Sequence, residues 1–334
     1  MSSHSYWGVE FFGFFHIFFH QMFLLLTGKA SLASLTSDEI QILMLAMLGI
    51  SCAIVGSFLI LKRMAMVANS LSHTVLVGIV VALIVMRALL GDSYSAFHVD
   101  IKVLFIASLL SSLLTAYLTD FLYRVLRLQK DASTGLVFTT LFAVGIILVT
   151  LFTKNAHIGA EVIMGNIDML HSDDLKMGFY LLVMNLSLLL LFFKEYLITA
   201  FDPQFGKLSR FSNRFFTYLL LFQTSATVIG AFRAVGVVLV LALLVLPVLT
   251  ARLLTHRLYK MIILASTFSL LSALVGVALA RHILSVYNIA LSTGGVVVMT
   301  QFGFWGIALI FSPSKGALTR LLTRRRLKAK LATC

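Results

Sequence analysis

Apolar runs long enough to cross a bilayer recur along this sequence, and short polar segments separate them. About 20 apolar residues span the hydrocarbon core as an α-helix. The pattern predicts spans at about 40–61, 66–90, 103–126, 134–152, 175–193, 261–280 and 290–312. Residues 215–251 form a longer stretch that GAFRAVG interrupts. We expect there a pair of short spans hinged at Gly230–Gly236, or one span and a re-entrant piece. The predicted fold class is an all-α polytopic integral membrane protein with about eight to ten transmembrane helices.

The two ends of the chain differ from its apolar middle. Residues 6–27 are rich in aromatic residues and form either a further span or a helix in the membrane interface. His16 and His20 lie there four residues apart, a spacing that can bind metal, but the surrounding Phe residues favour an interfacial helix. We therefore predict three parts: residues 1–39, a transmembrane domain at 40–313, and a basic cytoplasmic tail at 314–334.

Composition and charge agree with a membrane protein and predict its orientation. Hydrophobic residues make up 60% of the chain and charged residues 12%, against about 25% charged residues in soluble domains. The net charge of +13 comes from Lys and Arg in the tail and in short segments between spans. This is the positive-inside pattern, with contact to membrane lipid and no nucleic acid. It predicts a multi-pass protein of the cell inner membrane, with these basic segments in the cytoplasm: Lys62/Arg63, Arg124/Arg127/Lys130, Lys194 to Arg214, Arg252 to Lys260 and the tail.

One ionisable side chain lies deep inside a predicted span. His73 follows Lys62 and Arg63 by about ten residues, which is roughly 15 Å along a helix and half of the hydrocarbon thickness. Asn69 precedes it by four residues, so both side chains share one helix face. A histidine at this depth indicates a substrate pathway, and neutral imidazole suits Zn, Mn and Fe. The alternative is a histidine that hydrogen bonds to a neighbouring helix.

Two further patterns predict local packing. Asp120 and Arg124 stand four residues apart near a helix end and should form an ion pair. Small residues at the same spacing should allow close helix contacts, as in the pairs Gly49/Ala53, Gly78/Ala82 and Gly276/Ala280.

Three motifs carry a resemblance to a known family. They are KRMAMVANSLSHTVLVGI at 62–79, FDPQF at 201–205 and AVGVVLVLALLVLPVLTARLL at 234–254. In this order, over about residues 40–312, they resemble the ABC-3 permeases of divalent-metal ABC importers. The aromatic N-terminus followed by TSDEIQ is most similar to the chlamydial branch of that family.

The resemblance implies a type II importer permease. In that architecture two permease subunits pair, cytoplasmic ABC ATPase subunits bind below them, and an extracytoplasmic protein delivers Mn, Zn or Fe. The metal ion is then the transported substrate, and no cofactor is bound permanently. The family's Asp is Asn69 here, so a paralogous permease could supply the carboxylate in a heterodimer, and a homodimer also remains open. The implied ATPase-coupling residues are Phe201, Asp202, Pro203, Gln204 and Phe205.

Two remaining observations concern the outer side and the class of protein. His157 and Glu161 are four residues apart, in a segment that also contains Asp168, His171, Asp173 and Asp174. This segment is either an outer opening for cations or a solvated loop. No G-x-x-x-x-G-K-[ST] loop, Ser–His–Asp pattern or H-E-x-x-H occurs, so we predict no enzyme and place ATP hydrolysis on a separate subunit. The alternatives are a secondary transporter or channel for a cation and, with less support, an intramembrane enzyme.

Overall fold

The computed structural model describes residues 11–27, 35–90, 101–152, 165, 167–201, 212–312 and 316. These residues contain α-helices, one short 3-10 helix at Ile167–Met169, and no strand. The α-helices are α1 (Phe11–Leu26), α2 (Ser37–Leu61), α3 (Ala65–Leu90), α4 (Ile101–Val125), α5 (Lys130–Phe152), α6 (Asp174–Phe201), α7 (Asn213–Val235), α8 (Val237–Leu254), α9 (Leu258–Tyr287) and α10 (Thr293–Phe311). The predicted all-α fold class is confirmed.

Nine helices of the described ranges, α2 to α10, are long and apolar enough to cross a membrane. The 16-residue α1 is shorter. Two of these spans separate each basic segment from the next along the chain, as the sequence predicted. All the basic segments therefore fall on one side of the membrane when the nine spans alternate.

The long apolar stretch at 215–251 divides into two helices at Gly236. This glycine has φ +83°, a backbone conformation that L side chains rarely adopt. A Cβ atom there would also lie 2.8 Å from the carbonyl oxygen of Gly165. The predicted pair of short spans is confirmed, because α7 and α8 each qualify as a span.

The prediction of a loop at 194–214 is wrong for its first part, which is helical. Helix α6 continues to Phe201 and bends at Phe192, whose φ of −117° and ψ of 23° are not helical. The stretch KEYLITAF looks polar, but Tyr196 and Thr199 are both buried on one face. Burial of that face keeps the chain helical beyond the predicted end of the span.

The described helices cluster in two compact units. In the first unit, α1 packs against α9 and α9 packs along α10. Close contact depends on glycine: a Cβ atom on Gly276 of α9 would lie 2.7 Å from the side chain of Val297 in α10. Gly49 of α2 likewise faces Ser269 of α9. Both glycines were predicted to allow such contacts.

The second unit contains α3, α4, α5, most of α6, and α7. Helix α3 packs against α4, α5 and α7, so it is the central helix of this unit. The predicted ion pair is present on α4, where Arg124 Nε lies 2.7 Å from Asp120 Oδ2.

Candidate metal pathway

Helix α3 carries the candidate site because an apolar 26-residue sequence brings one histidine into the membrane. His73 lies eight residues after Ala65, about 12 Å along the helix from its first residue. The His73 side chain is partly exposed, and so is that of Asn69 one turn earlier. The structure therefore places both predicted pathway residues on a helix that is otherwise largely buried.

The face of α3 toward α4 is fixed by hydroxyl groups and a glycine. Ser111 Oγ donates to the Thr74 carbonyl oxygen at 2.7 Å, and the hydroxyl oxygens of Thr74 and Thr115 are 2.9 Å apart. One turn further, a Cβ atom on Gly78 would lie 2.6 Å from the Ala107 carbonyl oxygen. The two backbones thus approach closely, and the residue next to His73 is held in place. The sequence reasoning did not single out these hydroxyls, although Ser111 and Thr115 show the four-residue spacing of a helix face.

Another face of α3 packs against α5. Leu76 and Val80 of α3 pack in one buried cluster with Val149 of α5. The imidazole of His73 meets two aromatic rings of α5, with ring centroids 5.2 Å from Phe138 and 5.7 Å from Phe142. The two phenyl rings stack on each other at 5.8 Å. These aromatic neighbours also went unnoticed in the sequence, where their four-residue spacing was the available signal.

His73 makes no hydrogen bond to any residue that the structure describes. These two ring contacts leave the imidazole nitrogens available as ligands, because a phenyl ring has no hydrogen-bond donor or acceptor of ordinary strength. Within the described part of the chain, no three His, Cys, Asp or Glu side chains come together as a metal site. One imidazole and one amide are an incomplete ligand set, which can hold a cation briefly but cannot enclose it.

The other predicted site residues are distributed as follows. Phe201 ends α6 with 59% of its side chain exposed. Asp202, Pro203, Gln204 and Phe205 lie outside the described residues, and so do His157 and Glu161. His16 and His20 are both exposed on α1, whose buried residues are Phe14 and Phe18.

The acidic residues near the predicted outer opening form hydrogen bonds and an ion pair with neighbouring residues. Asp168 Oδ1 accepts from Thr293 Oγ1 at 2.5 Å and from Gln41 Nε2 at 3.4 Å, which ties the 3-10 helix to α10 and α2. Asp173 pairs with Lys176 at 2.8 Å, and this hydrogen bond lowers the pKa of the Asp173 carboxyl. Asp174 accepts from the His171 backbone N–H at 3.0 Å.

Nine candidate spans in the described part of the chain, with His73 and Asn69 on one face of α3, define a polytopic membrane protein. The family model described as the ABC 3 transport family matches residues 39–312. The chain therefore belongs to the ABC-3 family, and it is a multi-pass permease of the inner membrane.

Curated relatives match along most of the chain. It is 37% identical over 313 residues to a "Probable metal transport system membrane protein" of Chlamydia trachomatis, covering 94% of this chain and 95% of that one. It is 32% identical to "Manganese transport system membrane protein MntC" of Listeria monocytogenes, covering 81% and 89%. It is also 32% identical to "Zinc transport system membrane protein TroD" of Treponema pallidum, covering 87% and 78%. The predicted resemblance to chlamydial members is confirmed.

A solved structure shares the fold. "PsaBC from Streptococcus pneumoniae in complex with Fab" is 27% identical in sequence, with a TM-score of 0.67. The match covers 85% of this chain and 94% of that chain. The helical arrangement described above is therefore that of an ABC-type permease.

Proposed function

We propose that this chain is the permease subunit of an ATP-driven importer that moves a divalent transition metal, Mn, Zn or Fe, into the cytoplasm. The observation that carries the proposal is His73 on α3, partly exposed inside a span and without a hydrogen-bond partner among the described residues. A polar group of purely structural use inside a membrane span is normally paired with a neighbouring helix. Relatives named for manganese and for zinc support the metal class.

In this proposal the metal ion is bound only weakly as it passes His73 and Asn69. A neutral imidazole nitrogen donates its lone pair to a cation that has lost part of its hydration shell. Asn69 supplies an amide oxygen one turn away on the same helix face. Because two such ligands bind weakly, the cation can leave again, whereas a closed site of four ligands would retain it.

Energy and delivery come from other polypeptides in this proposal. The chain has no P-loop, so a cytoplasmic ABC ATPase hydrolyses ATP. We assign Phe201–Phe205 to the contact with that ATPase, since Phe201 is exposed and Phe205 follows it by four residues in the sequence. A second permease subunit and an extracytoplasmic metal-binding protein complete the assembly. His157 and Glu161 stand near the outer opening in this proposal.

The decisive experiment is metal uptake by the complete complex carrying His73→Ala. We expect uptake of radioactive manganese and zinc to be lost while permease and ATPase still copurify. His256→Ala is the matched control, because His256 is an exposed histidine between α8 and α9, and uptake should remain at the wild-type level. Normal uptake by His73→Ala would contradict the pathway. Uptake that continues without ATP hydrolysis would indicate a secondary transporter or channel instead.

A further inference from the structure

A cavity of about 290 Å³ lies where α2 ends and where α3, α5 and α7 begin. Its wall contains four basic side chains and two acidic ones. The basic side chains are Lys62, Arg63, Arg124 and Arg214, and the acidic ones are Asp120 and Asp131. All the lining residues belong to the second compact unit. The metal pathway proposed above makes no use of this cavity.

Two arginines in the wall have no ion pair among the described residues. Asp120 is already engaged, since it accepts from Arg124 Nε at 2.7 Å and from the Tyr218 hydroxyl at 3.1 Å. Lys62 also lines the cavity and donates to Thr217 Oγ1 at 3.1 Å. Arg63 and Arg214 are exposed and have no ion pair within the part of the chain that the structure describes.

The backbone leaves this charge balance unchanged. Three α-helices begin at the cavity and three end there, namely α2, α4 and α6, so partial positive N-termini face partial negative C-termini. Asn213 opens α7 and lines the cavity with a side-chain oxygen that is shielded from solvent and has no hydrogen-bond partner in the described structure. An amide can turn to present its NH₂ group to an anion. The excess of basic over acidic side chains favours an anion over a divalent cation here.

The remaining wall of the cavity combines four threonines with an apolar patch. Met64, Val67, Ala116 and Leu221 line it and belong to one packed cluster with Tyr218. On a neighbouring face, α4 carries exposed apolar side chains at helical spacing, namely Leu110, Leu114, Tyr117 and Phe121. A charged pocket beside an exposed apolar helix face fits an amphiphile better than a small soluble ion.

We propose that this cavity binds a phosphate-bearing anion, and that its source is the phosphodiester headgroup of an anionic lipid in the cytoplasmic leaflet. Arg63 and Arg214 hold the phosphate, Asn213 adds a hydrogen bond, and an acyl chain lies along α4. Basic pockets between transmembrane helices on the cytoplasmic side recognise such headgroups. The proposal rests on the predicted orientation and is independent of whether the chain transports metal.

Lipid retention in native mass spectrometry tests the proposal on the purified full-length chain. We expect the wild type to retain phosphatidylglycerol in preference to phosphatidylcholine. The double variant Arg63→Gln/Arg214→Gln should lose that retention about tenfold, the effect of removing charge-assisted hydrogen bonds. Arg252→Gln is the matched control, since Arg252 is an exposed arginine outside the cavity, and it should retain lipid as the wild type does. Each single variant, Arg63→Gln or Arg214→Gln, should give an intermediate loss, which keeps the test usable if the double variant unfolds.

A second arm distinguishes the source of the phosphate. Inorganic phosphate, compared with chloride at equal ionic strength, is added to lipid-stripped protein while thermal unfolding is followed. Stabilisation of the wild type but not of the double variant, without a lipid preference, would assign the cavity to a soluble phosphate compound. Equal phosphatidylglycerol retention by the folded double variant and the wild type, with no phosphate effect, would overturn the proposal. Both arms measure binding without metal or ATPase, so their outcome is separate from that of the uptake experiment.

Discussion

Two polar regions within the spans of the second unit differ in how their polar atoms are used. Between α6 and α7, Tyr196 donates to Gln223 at 3.0 Å and Asn185 donates to Thr227 at 2.8 Å. The three side chains Tyr196, Gln223 and Asn185 are almost fully buried. On α3, His73 is partly exposed and touches only aromatic rings among its described contacts.

This difference in hydrogen bonding distinguishes polar groups that hold two helices together from a polar group, His73, that is available to a substrate. A buried polar side chain in a membrane is costly unless it is paired, and the α6–α7 network meets most of that cost with internal hydrogen bonds, with Asn185 Oδ1 left without a partner in the described structure. His73 is partly exposed and has no such pairing among the described residues, so its ring nitrogens stay available to a ligand. We infer that the network contributes to stability and His73 contributes to transport.

The largest expected effect comes from His73→Gln. Glutamine keeps a hydrogen-bonding side chain but removes the imidazole, so uptake should fall more than about tenfold with little change in assembly. Uptake of radioactive metal, normalised to the copurified complex, measures this. Wild-type uptake by His73→Gln would make His73 a structural hydrogen-bonding residue and remove the contrast with the α6–α7 network.

A second prediction concerns the support of α3. Gly78→Ala would place a Cβ atom 2.6 Å from the Ala107 carbonyl oxygen and 2.8 Å from Ser111 Cβ. We expect destabilisation by about 1–3 kcal/mol and reduced uptake, because α3 must move away from α4. Thermal unfolding in detergent measures the first effect. Gly135→Ala on α5 is the control, since its Cβ meets nothing within 4 Å, and it should leave stability equal or slightly higher.

Gln223→Leu tests the network itself. Leucine leaves the Tyr196 hydroxyl without its acceptor and removes the donor to the Asn185 carbonyl oxygen, a contact of 3.4 Å. We expect a loss of about 1–2 kcal/mol in stability, seen as a lower midpoint of thermal unfolding. Uptake per assembled complex should stay near the wild-type value. Strong loss of uptake in a complex of unchanged stability would mean that the network, too, belongs to the pathway.

The smallest effect is expected for Asn69→Asp. This change introduces the residue that the family resemblance implies at this position and adds a carboxylate four residues before His73. Uptake should change by less than about threefold, with a shift in preference between manganese and zinc. Competition uptake with both metals measures it. Complete loss of transport would contradict the placement of Asn69 beside the cation.

The candidate site shows how far sequence reasoning extends. His73 and Asn69 were identified because an ionisable group in an apolar run stands out, and helix spacing places them on one face. Phe138 and Phe142, which contact His73, were not identified, since two phenylalanines four residues apart in a span are also typical of ordinary helix packing. The hydroxyl contacts of Thr74 were missed for a related reason: a serine or threonine inside a helix also bonds to its own backbone, as Thr115 does to Ser111 at 2.8 Å.

By itself the sequence determined most of the spans, their order, a break within Gly230–Gly236 and the family, because these follow from local hydropathy, charge and motif. Only the tertiary structure decided which faces of the spans meet. A membrane helix is apolar toward its neighbours and toward lipid alike, so its pattern does not mark the packed side. For the same reason, only the fold showed that α6 continues through 194–201 and that basic residues from separate segments surround one cavity.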